Sequence, residues 1–290
     1  MWQIGDIRID RIVEFEQPLL APSELLPASS PERIEHHRHW LEPRLMDPQT
    51  GRLVIAFHSF LIRTRNSAIL VDTCSGNDRQ RPQKPRYHLK SWPYLENLAG
   101  SRIQPEEITH VLCTHLHVDH VGWNTRLVHG KWVPTFPNAK YLFSRVEYEF
   151  WRQQFETGAF SGDPYYLDCI EPIFDAGLSN LVEMDVELDT GVRLIPSPGH
   201  TPGHVCVHIS SGGQSAIMSG DIMHHPVQCA EPHWNSCFCV DQHQAEQTRL
   251  DFLNRHADTG ILVMPAHFPA PSVGFITPFQ SGFHFTAYPR

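Results

Sequence analysis

Positive charge is scarce in this sequence, and no part of the chain forms a long basic stretch. Lysine and arginine number 23 against 32 aspartates and glutamates, which leaves a formal net charge of −9 at pH 7. The densest basic run, RQRPQKPR at 79–86, is short and interrupted by prolines. Proteins that bind nucleic acid usually carry a contiguous basic patch or stripe. We therefore expect no nucleic acid among the partners.

Long apolar runs are also missing. A helix needs roughly 20 apolar residues to cross a bilayer, and no segment approaches that length. The N-terminus, MWQIGDIRIDRIVEF, alternates apolar and polar residues as a half-buried strand does. It lacks the basic and then apolar layout of a signal peptide. We expect no membrane association and a cytoplasmic location.

The cysteines lack the spacing of a disulfide frame or of a cysteine-type zinc site. There are seven, an odd number, scattered along the chain without a CxxC pair. This pattern predicts reduced and mostly buried thiols. The one close pair, Cys237 and Cys239, is predicted to lie on one face of a strand.

Histidine, in contrast, is abundant, with 20 residues. Three of them, His36, His37 and His39, fall in a polar segment flanked by prolines and are predicted to be solvated. The densest cluster is THLHVDHVG at 114–122. Crowded imidazoles need hydrogen bonds when neutral and repel one another when charged, and a divalent metal removes both difficulties. This loop therefore predicts a metal site.

Short apolar runs closed by turn residues dominate the chain after residue 50 and predict β-strands. They lie at 53–62, 68–72, 108–114, 192–196, 204–209, 215–219 and 260–264. Helical patterns fall between them at 91–99, 144–156 and 243–256. No repeat or flexible linker divides the chain. We predict one α/β domain over 1–290, with two sheets, outer helices and an irregular arm at about 18–50 that contains one short helix.

Four predicted strands end within a few residues of a histidine or an aspartate. Loops on a rigid sheet are the usual place for binding groups, so strands of shared orientation would bring these loops to one edge. In the 114–122 loop, His115 and His117 project to the same side, whereas Asp119 and His120 are offset toward a second position. The strand-end residues complete the predicted set of metal ligands: His115, His117, Asp119, His120, His200, Asp221 and His267.

The donor types limit the choice of metal. Imidazole and carboxylate ligands without thiolate suit zinc, iron, manganese or cobalt. Two divalent ions, with zinc as the default, are therefore the predicted cofactors. His200 would complete a three-histidine position, His267 would join Asp119 and His120, and Asp221 would bridge the two.

The motif HxHxDH at 115–120, followed in order by HTPGH, strand-GD and strand-PAH, resembles that of the metallo-β-lactamase fold superfamily. The resemblance covers about 50 to 268 and all seven metal positions. It implies a four-layer αββα sandwich with a binuclear metal centre at its edge. It also implies that Asp72, which ends the strand AILVD, orients a metal-binding histidine.

The ligand set points to hydrolysis. Two neighbouring ions lower the pKa of a shared water from about 15.7 toward about 7, and the resulting hydroxide attacks a polarised carbonyl or phosphoryl centre. We expect Asp119, Asp221 and His224 to take part in catalysis. A mononuclear iron oxygenase and a non-catalytic metal-binding protein are the alternatives from other classes.

Two branches of the superfamily resemble this chain: the N-acyl-homoserine lactonases and the methyl parathion hydrolase-like enzymes. The lactonases often carry a tyrosine three positions after the bridging aspartate. The segment GDIMHHP places His224 there, which is similar to the second branch. We expect a lactone or ester as substrate, N-acyl-homoserine lactones included, with organophosphate or aryl ester hydrolysis as the alternative.

Aromatic residues near the metal-bearing segments are candidates for the substrate pocket: Phe57, His58, Trp123 and Trp234. Segment 156–180, rich in glycine, proline and aromatic residues, is a candidate cap that favours an apolar small molecule. Similar N-terminal extensions pack against a second subunit in related dimers, so the resemblance also implies a homodimer formed through the arm.

Overall fold

The computed structural model describes residues 1–158 and 164–288. Sixteen strands run through this part of the chain. In chain order they are β1 (Trp2–Ile4), β2 (Ile7–Leu20), β3 (Leu53–Arg63), β4 (Ala68–Val71), β5 (His110–Leu112), β6 (Thr125–Val128), β7 (Lys131–Pro134), β8 (Lys140–Ser144), β9 (Ser179–Val182), β10 (Glu187–Asp189), β11 (Val192–Pro196), β12 (Val205–Ser211), β13 (Gln214–Gly220), β14 (Leu262–Pro265), β15 (Gly274–Phe279) and β16 (Gly282–Ala287).

Helices occupy the connections between strands. In chain order they are α1 (Pro22–Leu25), α2 (Pro31–Leu41), α3 (Tyr94–Gly100), α4 (Arg145–Glu156), α5 (Glu171–Asp175), α6 (Val227–Ala230) and α7 (Gln242–His256). Two of these helices have a side-chain N-cap. Ser30 caps α2 by accepting from the Arg33 amide, and Asp241 caps α7 by accepting from the Gln244 amide. Among the described residues, no helix has the length and apolar character that crossing a bilayer requires.

The strands form two large sheets and one hairpin. The first sheet has the order β1-β2-β3-β4-β5-β8-β9, the second has the order β10-β11-β12-β13-β14-β15-β16, and β6 pairs with β7. The sequence LVIAFHSFLIR of β3 is buried along nearly its whole length. This is expected of a central strand with both faces covered.

Three apolar clusters define four layers. Leu112 and Leu142 of the first sheet pack with Val207 and Met264 of the second, so the two sheets face each other. The other face of the first sheet packs against helices that include α3 and α4. The other face of the second sheet packs against α7. The predicted αββα sandwich is confirmed.

Parallel strands bring the site loops to one edge. β4 and β5 are parallel neighbours in the first sheet. β13 and β14 are parallel neighbours in the second. β11 runs in the same direction as β13 because both are antiparallel to β12, which lies between them. The segments that follow these strands carry Asp72, the 114–122 loop, His200, Asp221 and His267.

The segment predicted as an irregular arm is more ordered than expected. β2 continues to Leu20 because it stays paired with β3 as far as Leu53. Two helices follow, α1 and α2, where one was predicted. His37 on α2 was predicted to be solvated, and this was wrong. It is buried, with its Nε2 atom 2.7 Å from Glu231 Oε1, because α2 packs against the segment before α7.

The strand predicted around Cys237 and Cys239 was also wrong. This segment forms turns, and its amides do not bond to a neighbouring strand: the Cys237 amide donates to the carbonyl of Leu25 at the end of α1, and the Val240 amide donates to the carbonyl of His200 in a loop. The seven cysteines are free thiols, and all except Cys237 are buried, as the spacing predicted.

Candidate metal centre and active site

Asp72 joins the two ends of the 114–122 loop, which is called the metal loop below. The Thr114 amide donates to Asp72 Oδ1 at 2.7 Å, and the Thr114 hydroxyl donates to Oδ2 at 2.9 Å. At the other end of the loop, His120 Nδ1 lies 2.9 Å from the same Oδ2 atom. Asp72 therefore orients the His120 ring and holds the loop closed.

Three histidines bring their potential metal-ligand atoms together and form what is called here the first donor group. His115 Nε2 lies 3.1 Å from His117 Nδ1, and His200 Nε2 lies 3.1 Å and 2.9 Å from those two atoms. His115 and His117 come from the loop after β5, whereas His200 comes from the loop between β11 and β12. The group thus joins both sheets.

Asp119, His120 and His267 form the second donor group. His120 Nε2 lies 3.2 Å from His267 Nε2, and His267 Nε2 lies 3.8 Å from Asp119 Oδ2. The donor atoms of this group lie within 4.8 Å of one another, and the same holds for the first group.

Asp221 lies between the two groups. Its Oδ2 atom is 3.4 Å from His200 Nε2 and 3.2 Å from His267 Nε2, and its Oδ1 atom is 3.3 Å from His120 Nε2. Oδ1 is buried and accepts no hydrogen bond from the described residues. A buried carboxylate oxygen without a donor is costly, and a cation between the two groups would satisfy it.

The ring nitrogens that face away from the centre are held by the protein. His115 Nδ1 lies 3.1 Å from Thr114 Oγ1, His267 Nδ1 lies 3.0 Å from the Ala56 carbonyl, and His200 Nδ1 lies 3.5 Å from Cys239 Sγ. Metal-binding histidines typically use their second nitrogen in this way. The ring nitrogens that face the centre are therefore positioned to act as metal ligands.

The three histidines of the first group are neutral at pH 7. Burial lowers the pKa of His117 to about 3 and holds the pKa values of His115 and His200 well below their ordinary range. Neutral imidazole is the form that binds metals.

The carboxylate in the centre is ionised. Burial raises the pKa of Asp221, but the neighbouring His120 and His267 outweigh burial and hold it well below its ordinary range. The donor set therefore fits divalent metal ions. His115, His117 and His200 could hold one ion and Asp119, His120 and His267 a second, with Asp221 in reach of both.

A cavity of about 380 Å³ opens onto the centre. His117, Asp119, Asp221, His224 and His267 lie in its wall. Most of the remaining wall is apolar, and it includes Leu19, Leu20, Leu25, Ile55, Phe57, Val118, Tyr165 and Phe238. This is the usual composition of a small-molecule site.

Of the four predicted pocket residues, Phe57 lies in the cavity wall and the other three lie elsewhere. Because side chains alternate along a strand, His58 points away from Phe57, and its Nε2 atom lies 3.2 Å from the Pro265 carbonyl. Trp123 is buried under the loops, stacks on Tyr94 and donates to Glu14. Trp234 is buried in the core beside the first sheet.

The sequence did not indicate several residues of the cavity wall. Tyr87 lies there, and its hydroxyl donates to Asp119 Oδ2 at 3.4 Å. Lys84 and Arg86 come from the same segment, which was noted only for its charge. The arm contributes Leu19, Leu20 and Leu25. Tyr165 comes from the candidate cap, of which residues 159–163 lie outside the described residues.

Glu14 supports the loop after Asp72 and gives a pH-dependent stability. Burial raises its pKa from 4.5 to about 7. The unfolded chain therefore loses this proton first as the pH rises, and the free energy of unfolding falls between about pH 4.5 and 7 by up to about 3 kcal/mol. We expect Glu14→Gln to remove this slope. Thermal unfolding of both proteins from pH 5 to 8 measures it, and a difference in melting temperature that stays constant over this range would contradict it.

The αββα sandwich carries two adjoining groups of metal-binding side chains, one of three histidines and one of two histidines and an aspartate, at one edge of its sheets. These features together define a class of metal-binding proteins. A family model described as the metallo-beta-lactamase superfamily matches residues 58–269, well over half of the chain. The chain belongs to the metallo-beta-lactamase superfamily.

Curated relatives include lactonases. An N-acyl homoserine lactonase of a Bacillus species is 33% identical over 115 residues, which cover 40% of this chain and 38% of that protein. The match thus spans well under half the length of this relative. A "probable metallo-hydrolase" of Mycobacterium tuberculosis is 25% identical over 248 residues, covering 75% of this chain and 76% of the relative.

Solved structures share the fold over the whole chain. Hydrolase AbOPH of the beta lactamase superfamily has a TM-score of 0.81 and 23% identity, covering 100% of this chain and 97% of that one. AidC, a dizinc quorum-quenching lactonase in complex with a product, has a TM-score of 0.77 and 22% identity with the same coverage. At these identities the likeness shows the fold alone.

Proposed function

We propose that this protein is a metal-dependent hydrolase that acts on the carbonyl of a lactone or ester. The observation that carries the proposal is the position of Asp221, whose two oxygens lie 3.2–3.4 Å from ring nitrogens of both donor groups. A purely structural metal site usually closes around one ion with four ligands. Seven donors in two adjoining groups instead favour a catalytic pair of ions.

Two divalent ions, when bound, supply Lewis-acid polarisation of the substrate and a nucleophile at neutral pH. Zinc is the metal we propose, and iron, manganese and cobalt are compatible with the same donors. The protein's own contribution is to hold His115, His117 and His200 neutral, to keep Asp119 and Asp221 ionised, and to place these ligands beside a largely apolar cavity.

The cavity supports a substrate with an apolar portion. Its wall combines residues of the donor groups with leucine, isoleucine and phenylalanine side chains. Burying an acyl chain there would contribute about 0.8 kcal/mol per methylene group. The similarity of 115 residues to an N-acyl homoserine lactonase also favours an acylated lactone.

His224 is the proposed hydrogen-bond donor to a substrate oxygen. It lies in the cavity wall, its Nε2 atom is 3.2 Å from Asp221 Oδ2, and its buried Nδ1 atom has no hydrogen-bond partner among the described residues. We expect His224→Ala to lower kcat about 100-fold, the scale for loss of one such donor. Both metal equivalents should remain.

Steady-state kinetics and elemental analysis of the His224→Ala variant test this role. The exposed His233, which pairs with Glu246 away from the cavity, supplies the control variant His233→Ala. Loss of a metal equivalent from His224→Ala would identify His224 as a ligand, since His200, Asp221 and His224 also form a donor group. That result would end its assignment as a substrate donor.

Hydrolysis of an aryl ester or an organophosphate is the second candidate. The feature that favours it is His224 itself, which stands three positions after Asp221. The resemblance links a histidine at this place to the methyl parathion hydrolase-like branch. A phosphotriester would bind the same metal pair through its phosphoryl oxygen.

Initial rates on three substrates separate the candidates. The zinc-loaded protein is assayed with an N-acyl-homoserine lactone, a phenyl ester and a phosphotriester under identical conditions. We expect the highest kcat/KM on the lactone. A phosphotriester or aryl ester rate well above the lactone rate would select the second candidate. No turnover on any of them by a protein with two bound metals would contradict both.

The remaining predictions concern assembly and location. A homodimer, a cytoplasmic location and the absence of nucleic-acid and membrane partners stay predictions from the sequence. In the described chain, the arm packs on its own fold: the Leu25 carbonyl accepts from the Cys237 amide, and Leu19 and Leu20 line the cavity.

A further inference from the structure

Glu147 is a buried carboxylate that touches both loops of the three-histidine group without being a ligand. It lies in the first turn of α4 and is 1% exposed. Its Oε1 atom accepts from the Leu116 amide at 2.9 Å, and its Oε2 atom accepts from the Gly203 amide at 2.9 Å. Leu116 stands between His115 and His117 in the sequence, and Gly203 follows His200 by three residues.

The His200 loop packs closely against α4 at Glu147. A Cβ atom on Gly203 would lie 2.2 Å from the Glu147 backbone nitrogen, so the loop that carries His200 presses directly on α4. Trp151, one turn further along α4, donates its Nε1–H to Glu147 Oε1 at 2.6 Å, and its ring meets the His117 ring edge-on at 5.3 Å. One turn of α4 thus contacts both loops.

The two loops need such a link because they belong to different sheets. The loop of His115 and His117 follows β5 in the first sheet, and the loop of His200 follows β11 in the second. Their backbones are joined by a bond from the Val205 amide to the Thr114 carbonyl at 3.0 Å, on the strand side of the ligands. Glu147 adds the link on the α4 side.

We propose that Glu147 is a positioning residue that sets the spacing of the three-histidine group and thereby the affinity of that metal position. This inference rests on the proposed metal centre. Glu147 acts through the two loop backbones, so its removal should weaken the position held by His115, His117 and His200. The position of Asp119, His120 and His267 should keep its affinity.

The chain provides a matched control for a buried carboxylate of this kind. Glu14 accepts from two backbone amides, those of Ser75 and Gly76, and from the indole N–H of Trp123. Its bonding thus repeats that of Glu147, but its two amide partners lie in the loop after Asp72, and none of its bonds reaches the backbone of the His115–His117 loop or of the His200 loop. Glu14→Gln and Glu147→Gln therefore make the same chemical change in similar surroundings.

Stepwise metal titration of the metal-stripped proteins tests the proposal without any substrate. Zinc binding is followed by competition with a chromogenic chelator, and thermal unfolding confirms that each variant is folded. We expect Glu147→Gln to weaken one of two equivalents at least tenfold, the scale for loss of a group that orients ligands. Glu14→Gln should keep both. Equal affinities in wild type and Glu147→Gln, or equal weakening of both equivalents, would overturn the proposal.

Two backgrounds identify the affected position. With His267→Ala, the three-histidine position is left intact, and Glu147→Gln should weaken the remaining equivalent. With His200→Ala, Glu147→Gln should have no further effect, because the coupling it acts on is already lost. The reverse result would overturn the proposal. A wild-type protein that binds no metal would instead remove the proposed function on which the inference rests.

Hydrogen exchange supplies a measurement that needs no variant. In the metal-stripped wild type, the Leu116 and Gly203 amides should stay protected, because Glu147 holds both in the absence of metal. Fast exchange of both amides would show that the link does not exist and would overturn the proposal even where Glu147→Gln does not fold.

Discussion

Replacing Asp221 by alanine is expected to lower kcat/KM on the best substrate by about 1000-fold or more, with loss of at least one metal equivalent. Asp221 contacts both donor groups, with 3.2 Å to His267 Nε2 and 3.4 Å to His200 Nε2. Without Asp221, two bound ions would have one carboxylate fewer to balance their charge. The transition state would lose several kcal/mol of stabilisation, and a loss of that size corresponds to a roughly 1000-fold lower rate.

The control for this variant is Asp185→Ala. Asp185 is an exposed carboxylate that pairs with Arg193 on the surface, and its loss should leave rate and metal content unchanged. Steady-state kinetics and elemental analysis of both variants provide the measurement. An Asp221→Ala protein that retains two metals and at least a tenth of the wild-type rate would contradict the bridging role.

Gly122→Ala is expected to destabilise the fold by more than about 3 kcal/mol, above the range of most single substitutions. A Cβ atom at this position would lie 1.9 Å from the Ser75 carbonyl carbon and 2.4 Å from the Gly76 nitrogen, and both are backbone atoms that cannot rotate away. The Gly122 amide also donates to the Cys74 carbonyl at 2.7 Å. The added methyl group would push apart the loop after Asp72 and the end of the metal loop.

Gly100→Ala is the matched control, because a Cβ atom on Gly100 meets nothing within 4 Å and this residue ends α3. Its melting temperature should equal or slightly exceed that of the wild type, since alanine favours helix over glycine. Urea unfolding of both variants measures the difference. A Gly122→Ala protein as stable as Gly100→Ala would contradict the close approach of the two loops.

The sequence was most informative where function depends on residue type and order. His115, His117, Asp119 and His120 lie within one short loop, and parallel strands carry the remaining predicted ligands to the same edge, as the strand ends indicated. The layers of the sandwich followed from the alternation of short apolar runs with helical patterns. Both inferences need only local patterns and a few topological rules.

The residues that the sequence missed are joined to the site by packing between distant segments. The Tyr87 hydroxyl contacts Asp119. The segment that carries Tyr87 is held by contacts with a distant part of the chain, such as the ion pair of Arg81 with Asp168. Nothing local marks Glu147 as different from the exposed glutamates. Three of the four aromatic candidates, His58, Trp123 and Trp234, lie outside the cavity wall. A residue's place in a segment near the site does not decide which way its side chain points, as His58 shows beside Phe57.

The most direct test of the central claim is reconstitution of the metal-stripped protein with zinc, with bound metal and the rate of lactone hydrolysis measured on the same samples. If the centre holds two ions, zinc binding should saturate at two equivalents per chain, and the rate of hydrolysis should rise with zinc occupancy to a maximum at that ratio. Saturation at one equivalent with full activity, or two equivalents without hydrolysis of a lactone, an ester or a phosphotriester, would contradict it.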